Sequence, residues 1–384
     1  MNPLMNKCFW RLVLVVGTAV MLAGCGNKET KEALKKSDSL GEQKEYPDAN
    51  NVLVDALRAR EDKIRADVGT STDPGAADAL TKKVEADPEI LKLERAQIPL
   101  YLHMERADLA SVIYADMLRG NPGDTAVYDL LRDKDPVIRT GAVRILGLAG
   151  HADAIDALIG ASKDPNQEVR RAALAALGAI KDPRAVPPLI DGLKDSYWFA
   201  RSEAANALAQ QRDARSVKPL LDAVADPDST VGTSAQNALL FLCQSPGPVA
   251  APDDLATRLG YPNPKVVLVS AVCLAMLKDP RAVPALLALL HSPDPGTRLS
   301  ALKGLGETGD PSAIPILRKT LKDPDVNMRG WSIIGLGELK DQGSLDDLRA
   351  ISADGTQPES IKAAADAAIN HIAPPASPPA GPQR

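Results

Sequence analysis

The stretch KDPNQEVRRAALAALGAI, residues 163–180, contains the pattern that decides the fold. Its arginine at position 170 belongs to a series of equivalent positions, which we call anchors, spaced 31 residues apart. Four extra residues interrupt the series once, and the Pro-rich stretch 244–254 can hold them. The anchors are Arg139, Arg170, Arg201, Gly232, Val267, Arg298, Arg329 and Ser360. Self-similarity at such a period predicts stacked copies of one supersecondary unit.

Each anchor lies within a predicted amphipathic helix. A small residue, alanine or serine, stands three positions after every anchor, and a leucine stands seven positions after the first seven. Spacings of three, four and seven place these side chains on one helical face. Small residues on that face allow a neighbouring helix to approach closely, and the leucines fill the space between helices.

A second, shorter helix is predicted in each unit, after a joint that contains Asp-Pro. The heptapeptide KDPRAVP occurs twice at this place, at residues 181–187 and 278–284. Aspartate accepts hydrogen bonds from the free backbone N–H groups at a helix start, and proline suits the first helical position. The repeated heptapeptide is therefore interpreted as a structural turn plus the start of a helix, not as a duplicated active site.

This helix–turn–helix pattern resembles HEAT-like repeats of the phycobilisome-lyase type over residues 133–372. The resemblance implies an all-α fold, an α-solenoid of stacked repeats that presents an extended surface. The last unit, ESIKAAADAAINHI, has one helix, lacks the leucine and has Ala367 in its place, which suggests a capping helix.

The first 24 residues are typical of a secretory signal, with Lys7 and Arg11 before a short apolar run. The run ends in Leu-Ala-Gly-Cys, which resembles a bacterial lipobox and implies cleavage after Gly24 and lipid on Cys25. Cys25 is thus expected to anchor the protein to a membrane of the bacterial cell envelope, the outer membrane being favoured in a diderm cell. Removal of the signal changes the formal charge from −5 to −7, which argues against nucleic acid as a partner.

Composition suggests three further segments. Residues 25–50 are charged and poor in large apolar residues, which is typical of a flexible tether. Residues 51–132 are predicted to be helical but outside the strict register, either as a cap or as degenerate repeats. Residues 373–384 are Pro-rich and are predicted to form a disordered tail.

No catalytic constellation, cofactor site or metal site is evident in the sequence, so the protein is expected not to be an enzyme. The stretch Gly304–Gly309 fits GxGxxG, but it lies in an Ala/Leu-rich helix and not after a strand. Deoxyhypusine hydroxylase, a HEAT-like enzyme family, binds iron through His-Glu pairs, and no histidine here is followed by glutamate. The chemistry of bilin lyases cannot be assigned to any residue.

The anchor arginines allow two interpretations. Each stands six residues after Asp133, Asp164, Asp195, Ser292 or Asp323, so four of the five have an acidic residue at fixed spacing. They could form a basic ladder for an acidic ligand, or a structural ladder of Asp–Arg contacts that fasten turns to helices. The structural interpretation is favoured because the aspartates neutralise the arginines. The five are Arg139, Arg170, Arg201, Arg298 and Arg329.

Tyr197, Trp198 and Phe199 form a cluster in a chain that is poor in aromatic residues. They are candidates for a partner-binding hot spot, with local core packing as the alternative. Cys243 and Cys273 stand at unequal positions relative to their anchors, so they are expected to be separate buried thiols rather than a disulfide.

These features favour a lipid-anchored scaffold or assembly factor of the bacterial envelope that binds another protein through its solenoid. The alternative is an accessory factor to a protein-modifying enzyme, or a diverged lyase-like form of one. A structural spacer between membrane and wall is a third interpretation. The inference from fold to binding is an analogy.

Overall fold

The computed structural model describes residues 26–68, 81–104, 106–120, 125–150, 152–244, 247 and 249–374. Within these ranges the fold is all-α, with helices and no strand. The predicted signal peptide, Cys25 and residues 375–384 of the predicted tail lie outside the described residues. The chain divides into two compact units, up to Ile180 and from Lys181 onward, and each is described by itself.

The first unit begins with helices that precede the strict repeat. Residues 81–85 form an additional helical stretch. The helices of this unit are α1 (Gly26–Glu42), α2 (Tyr46–Val68), α3 (Pro88–His103), α4 (Ala107–Gly120), α5 (Ala126–Leu130), α6 (Pro136–Ala149), α7 (Ile155–Ala161) and α8 (Gln167–Ala179).

The boundary predicted between residues 132 and 133 does not separate two bodies. Helix α6, the first helix of the strict repeat, packs against α3 and α4. Gly141 of α6 leaves room for the side chain of Leu102, which a Cβ atom at position 141 would clash with. The N-terminal helices therefore form one compact unit with the first repeats, as a cap that shields the exposed side of α6.

The prediction of a solvated tether over residues 25–50 is wrong for its described part. Residues 26–42 form α1, and α2 starts at Tyr46. Leu34 and Leu40 pack against a core cluster that includes Leu53 and Leu93. The few apolar residues of this charged segment lie on one helical face, and their burial stabilises a helix that composition alone does not predict.

The second unit continues the alternation of a long and a short helix. Its helices are α9 (Val186–Gly192), α10 (Trp198–Gln211), α11 (Val217–Ala223), α12 (Ser229–Cys243), α13 (Pro252–Ala256), α14 (Pro264–Met276), α15 (Ala282–Leu289), α16 (Pro295–Glu307), α17 (Ile314–Thr320), α18 (Val326–Glu338), α19 (Leu345–Ala353) and α20 (Glu359–Ile372).

The core of both units consists of the residues that define the repeat. The leucine seven positions after each of the first seven anchors is at most 1 % exposed. The joints also form as predicted: Asp182 accepts a hydrogen bond from the backbone N–H of Arg184, and a short 3₁₀ turn leads into α9. In the second copy of the heptapeptide, Asp279 accepts from the N–H of Arg281 just before α15. KDPRAVP is thus a structural joint in both copies.

Three of the Asp-Pro pairs stand two residues before the cap of a helix rather than at it. The side chains of Asp164, Asp226 and Asp323 accept the N–H of the residue two positions later. That later residue is the N-cap of α8, α12 or α18. Two successive side-chain turns therefore lead into each of these helices.

The register of the last helix differs from the prediction by two residues. Ala363, expected on the buried face of α20, is exposed, whereas Ile361, Ala365 and Ala368 are buried. This burial pattern matches the other long helices if Lys362 takes the anchor position. The turn at residues 354–358 absorbs the two extra residues, and Ile369 then occupies the position of the repeat leucine.

No helix among the described residues combines the length and the apolar character that a membrane span requires.

Candidate functional site

All five anchor arginines close the turn that precedes their own helix. In each, Nη1 donates to the backbone carbonyl oxygen six residues earlier, at distances of 2.9–3.0 Å. The acceptor is a main-chain atom, so the side chain at that position is free to vary. Ser292 can therefore replace the aspartate without loss of this contact.

The carboxylate partners of two anchors come from the following repeat. Nε and Nη2 of Arg139 both donate to the carboxylate of Asp164 at 2.8 Å. Arg201 makes the same bidentate pair with Asp226, at 2.8 and 2.9 Å. The sequence analysis placed the acidic partner six residues before the arginine; in these two pairs the carboxylate lies 25 residues after it. We call these two pairs the arginine clamps.

The clamps are shielded from water and electrostatically favourable. The side chains of Arg201 and Asp226 are 14 % and 9 % exposed. Burial raises the pKa of Asp226, but hydrogen bonds from Arg201 and from the N–H of Asp228 more than offset it, so the pKa lies below its ordinary value. The guanidinium groups of Arg139 and Arg201 are thus occupied by protein carboxylates and are not open to an acidic ligand.

The clamp is not repeated at every boundary of the second unit. Gly232 and Val267 stand at anchor positions and carry no guanidinium. Arg298 and Arg329 make no ion pair with a described residue, and Nε of Arg329 is buried without a hydrogen-bond partner.

The aromatic residues at the start of α10 form an exposed cluster, which we call the aromatic platform (Tyr197, Trp198 and Phe199). The rings of Trp198 and Phe199 stack at a centroid distance of 5.1 Å, and Tyr197 meets each of them edge-on at 6.2 Å. Trp198 and Phe199 remain 40 % and 37 % exposed. Core packing is therefore not the role of these two side chains, although it was one of the two sequence-based interpretations.

The platform also replaces a helix cap. Tyr197 occupies the N-cap position of α10 and makes no capping hydrogen bond with its side chain. In the second unit, α12, α14, α16 and α18 all start with a capping Asp or Asn. The aromatic residues thus stand where the repeat normally has polar capping residues, so local helix stability does not explain their presence.

Cys243 and Cys273 are both buried and unbonded, as expected for free thiols. They are nevertheless not separate. The two thiols hydrogen-bond to each other, which together with burial raises the pKa of Cys273 well above its ordinary value. The unequal sequence positions suggested different helix faces, but α12 packs against α14 and brings the end of one helix to the middle of the other.

The other candidate residues form no site in the described parts of the chain. Gly304 and Gly306 of the GxGxxG stretch lie inside α16, where they pack against Leu286 and Gly335. His103 stacks on Tyr46 at a centroid distance of 4.6 Å, whereas His151 lies outside the described residues. The described residues include no cluster of three or more His, Cys, Asp or Glu that could hold a metal ion.

An open cleft of about 540 Å³ lies beside α14 in the second unit. Its lining includes Val224, Pro262 and Lys265, together with Asp226, whose carboxylate is already held by Arg201. The cleft brings no set of catalytic side chains together.

The family model for HEAT repeats matches residues 125–209, 160–240, 186–267, 252–324 and 284–369. These overlapping matches cover more than half of the chain and coincide with the alternation of long and short helices. The protein belongs to the HEAT-repeat family. No curated protein matches its sequence.

Solved structures show the same architecture at low sequence identity. The chain is similar to Kap95p, solved with RanGDP, with a TM-score of 0.59 and 11 % identity, over 91 % of this chain and 55 % of that one. Escherichia coli YibA is 23 % identical over 64 % of this chain and 92 % of its own, with a TM-score of 0.44. The complex of CpcE and CpcF of phycocyanin lyase from Nostoc is 19 % identical over 64 % and 93 %, with a TM-score of 0.29. At these identities the likeness to Kap95p shows a shared α-solenoid fold, and the two lower TM-scores carry no further argument.

Proposed function

We propose that this HEAT-repeat protein is a non-enzymatic scaffold or assembly factor that binds a partner protein through the aromatic platform. In the same proposal, lipid on Cys25 holds it at a membrane of the bacterial envelope. The observation that carries the binding role is the exposed, stacked pair Trp198 and Phe199 at the start of a regular helix.

The physical argument rests on where binding energy concentrates in protein interfaces. Tryptophan and tyrosine are enriched among the few residues that dominate affinity, because they bury a large area with few rotatable bonds. The platform presents such side chains on a helix whose Ala200, Ala204 and Leu208 are fully buried. The rings are therefore fixed in place before a partner arrives, which lowers the entropic cost of binding.

A site-specific crosslink in the native cell tests the proposal. A photoreactive residue at position 198 should capture one stoichiometric protein partner. The matched control is position 326, because Val326 is also the first residue of its helix and is 36 % exposed. Equal capture from both positions would contradict a specific platform.

With the partner identified, Trp198→Ala should weaken its binding by about thirtyfold or more, as expected for a hot-spot residue. The melting temperature should stay unchanged because the ring is exposed. Val326→Ala should alter neither quantity. A variant that loses thermal stability but keeps its affinity would show that Trp198 has a structural role instead.

A further inference from the structure

The two buried cysteines lie at the boundary where the repeat is irregular. Cys243 is the last residue of α12, and Cys273 lies inside α14, the long helix of the next repeat. Both thiols are at most 2 % exposed, and they are each other's hydrogen-bond partner. The Pro-rich stretch that lengthens this one interval from 31 to 35 residues follows directly after Cys243.

The same boundary lacks the arginine clamp. Arg201 fastens α10 to the turn before α12 through Asp226. The next two anchors are Gly232 and Val267, so no guanidinium is available to fasten α12 to the segment before α14. The contact between α12 and α14 thus depends on packing, and its buried surface includes both thiols.

We propose that Cys243 and Cys273 are a disulfide site that links α12 covalently to α14. The bond closes a loop of 30 residues around the Pro-rich stretch. Formation requires the two sulfur atoms to move from hydrogen-bond contact to about 2 Å. The end of α12 can accommodate this movement, because Gln244 has left the helix for an extended conformation.

The chemistry is thiol–disulfide exchange with a small or protein disulfide as oxidant. One cysteine thiolate attacks the oxidant and forms a mixed disulfide while one thiolate leaves. The second cysteine, once deprotonated, then attacks the sulfur of the first and releases the other thiolate. Two electrons pass to the oxidant's S–S bond, and its two thiolates take up the two protons that the cysteines lose.

The folded protein should react slowly. A thiolate is the attacking species, and the raised pKa of Cys273 keeps that thiol protonated. Burial also keeps the oxidant away from both sulfur atoms. The bond therefore forms during folding, before the α12–α14 contact closes, and it is then protected from reductants by the same burial.

Refolding of the full chain in detergent tests the inference. The substitutions Cys8→Ser and Cys25→Ser leave the pair as the reporting thiols. The chain is reduced, unfolded, and refolded with a mixture of reduced and oxidised glutathione, and free thiols are then counted by alkylation under denaturing conditions. We expect a monomer without free thiols, a 243–273 crosslinked peptide, and a melting temperature roughly 5–10 °C above that of the reduced form.

Single substitutions provide the control. Cys243→Ala and Cys273→Ala should each refold with one thiol that is free or bound to glutathione, and with a melting temperature that reductant does not change. Two free thiols in the refolded parent chain, a glutathione adduct on each cysteine, or a disulfide-linked dimer would overturn the proposal. Oxidised glutathione added to the folded, reduced chain should act at least tenfold more slowly than it does during refolding; an equal rate would contradict the protection by burial.

Discussion

Arg201 joins three segments with a single side chain. Its Nη1 group closes the turn before its own helix, while Nε and Nη2 hold the carboxylate of the following repeat. Hydrogen bonds between charged groups are stronger than neutral ones, and the fixed fork of arginine matches both carboxylate oxygens. Because the pair is largely shielded from water, loss of the carboxylate charge leaves the guanidinium only partly compensated.

We expect Asp226→Asn to lower the free energy of unfolding by about 1.5–3 kcal/mol at pH 7. The pKa of Asp226 is lower in the folded chain than in the unfolded one, where it is near 3.9. The contribution of the carboxylate is therefore complete above the unfolded pKa and is lost as the pH falls through the folded pKa. Denaturant unfolding at pH 7 and at pH 3 should show a smaller cost of the substitution at pH 3.

The matched control is Asp228→Asn, because Asp228 caps α12 and asparagine is an equally good cap. This variant should change stability little at either pH. A cost of Asp226→Asn that is the same at both pH values would show that the charge of the clamp is not what stabilises it.

The sequence predicted which residues take part in the ladder but not how they pair. The repeat fixes both spacings at once, because an aspartate six residues before one anchor is also 25 residues after the previous one. Which neighbour receives the fork depends on the direction of the guanidinium group, and that is a property of the packed helices. The contact between Cys243 and Cys273 was missed for the same reason, since it depends on how α12 crosses α14.

Close approach of long helices depends on the small residues of the repeat. A Cβ atom at Gly306 of α16 would lie 2.7 Å from the Cα atom of Gly335 in α18, well inside normal contact distance. Gly147 of α6 meets Ala176 of α8 in the equivalent way. Glycine at these positions therefore serves the approach of two backbones, which also explains the GxGxxG match without a nucleotide.

We expect Gly306→Ala to lower the free energy of unfolding by about 1–3 kcal/mol, because backbone and not a flexible side chain blocks the added methyl group. Gly160→Ala in α7 is the control. No atom lies within 4 Å of that added methyl group, so the helix should gain about 0.5–1 kcal/mol. Thermal or denaturant unfolding of both variants measures the difference, and a stabilising Gly306→Ala would refute the close-approach argument.

At the level of helices, periodicity predicted the regular part of the chain well and its ends poorly. Burial at fixed spacing identifies a helix whenever many units repeat the pattern, as the seven buried leucines illustrate. Helix α1 has too few apolar residues to stand out from a solvated segment, and it is stabilised by partners far away in sequence, such as Leu93. In α20 a two-residue change in the preceding turn moved the buried face, and one sequence offered no second copy to reveal it.

The whole molecule combines a repeat array with an N-terminal sequence that resembles a lipoprotein signal. In the proposed function, lipid on Cys25 determines where the platform meets its partner. An acylated cysteine with several chains binds a membrane far more firmly than one chain can.

Cys25→Ala should therefore shift the protein from the membrane fraction to the soluble envelope fraction. It should also abolish incorporation of a labelled fatty acid. Fractionation and labelling of the two forms in the native cell check this expectation, with Cys8→Ala as the control that should behave like the parent chain. A Cys25→Ala protein that stays in the membrane fraction would contradict the proposed anchor.

The uneven distribution of clamps has a mechanical consequence for the second unit. When force is applied to the two ends of a stacked array, every boundary between repeats bears the same load. The boundary that Arg201 and Asp226 bridge resists with a shielded ion pair in addition to packing, whereas the boundary between α12 and α14 resists with packing. The reduced chain is thus expected to yield first at α12–α14, and an oxidised pair of cysteines would turn that weakest point into one that tension cannot open.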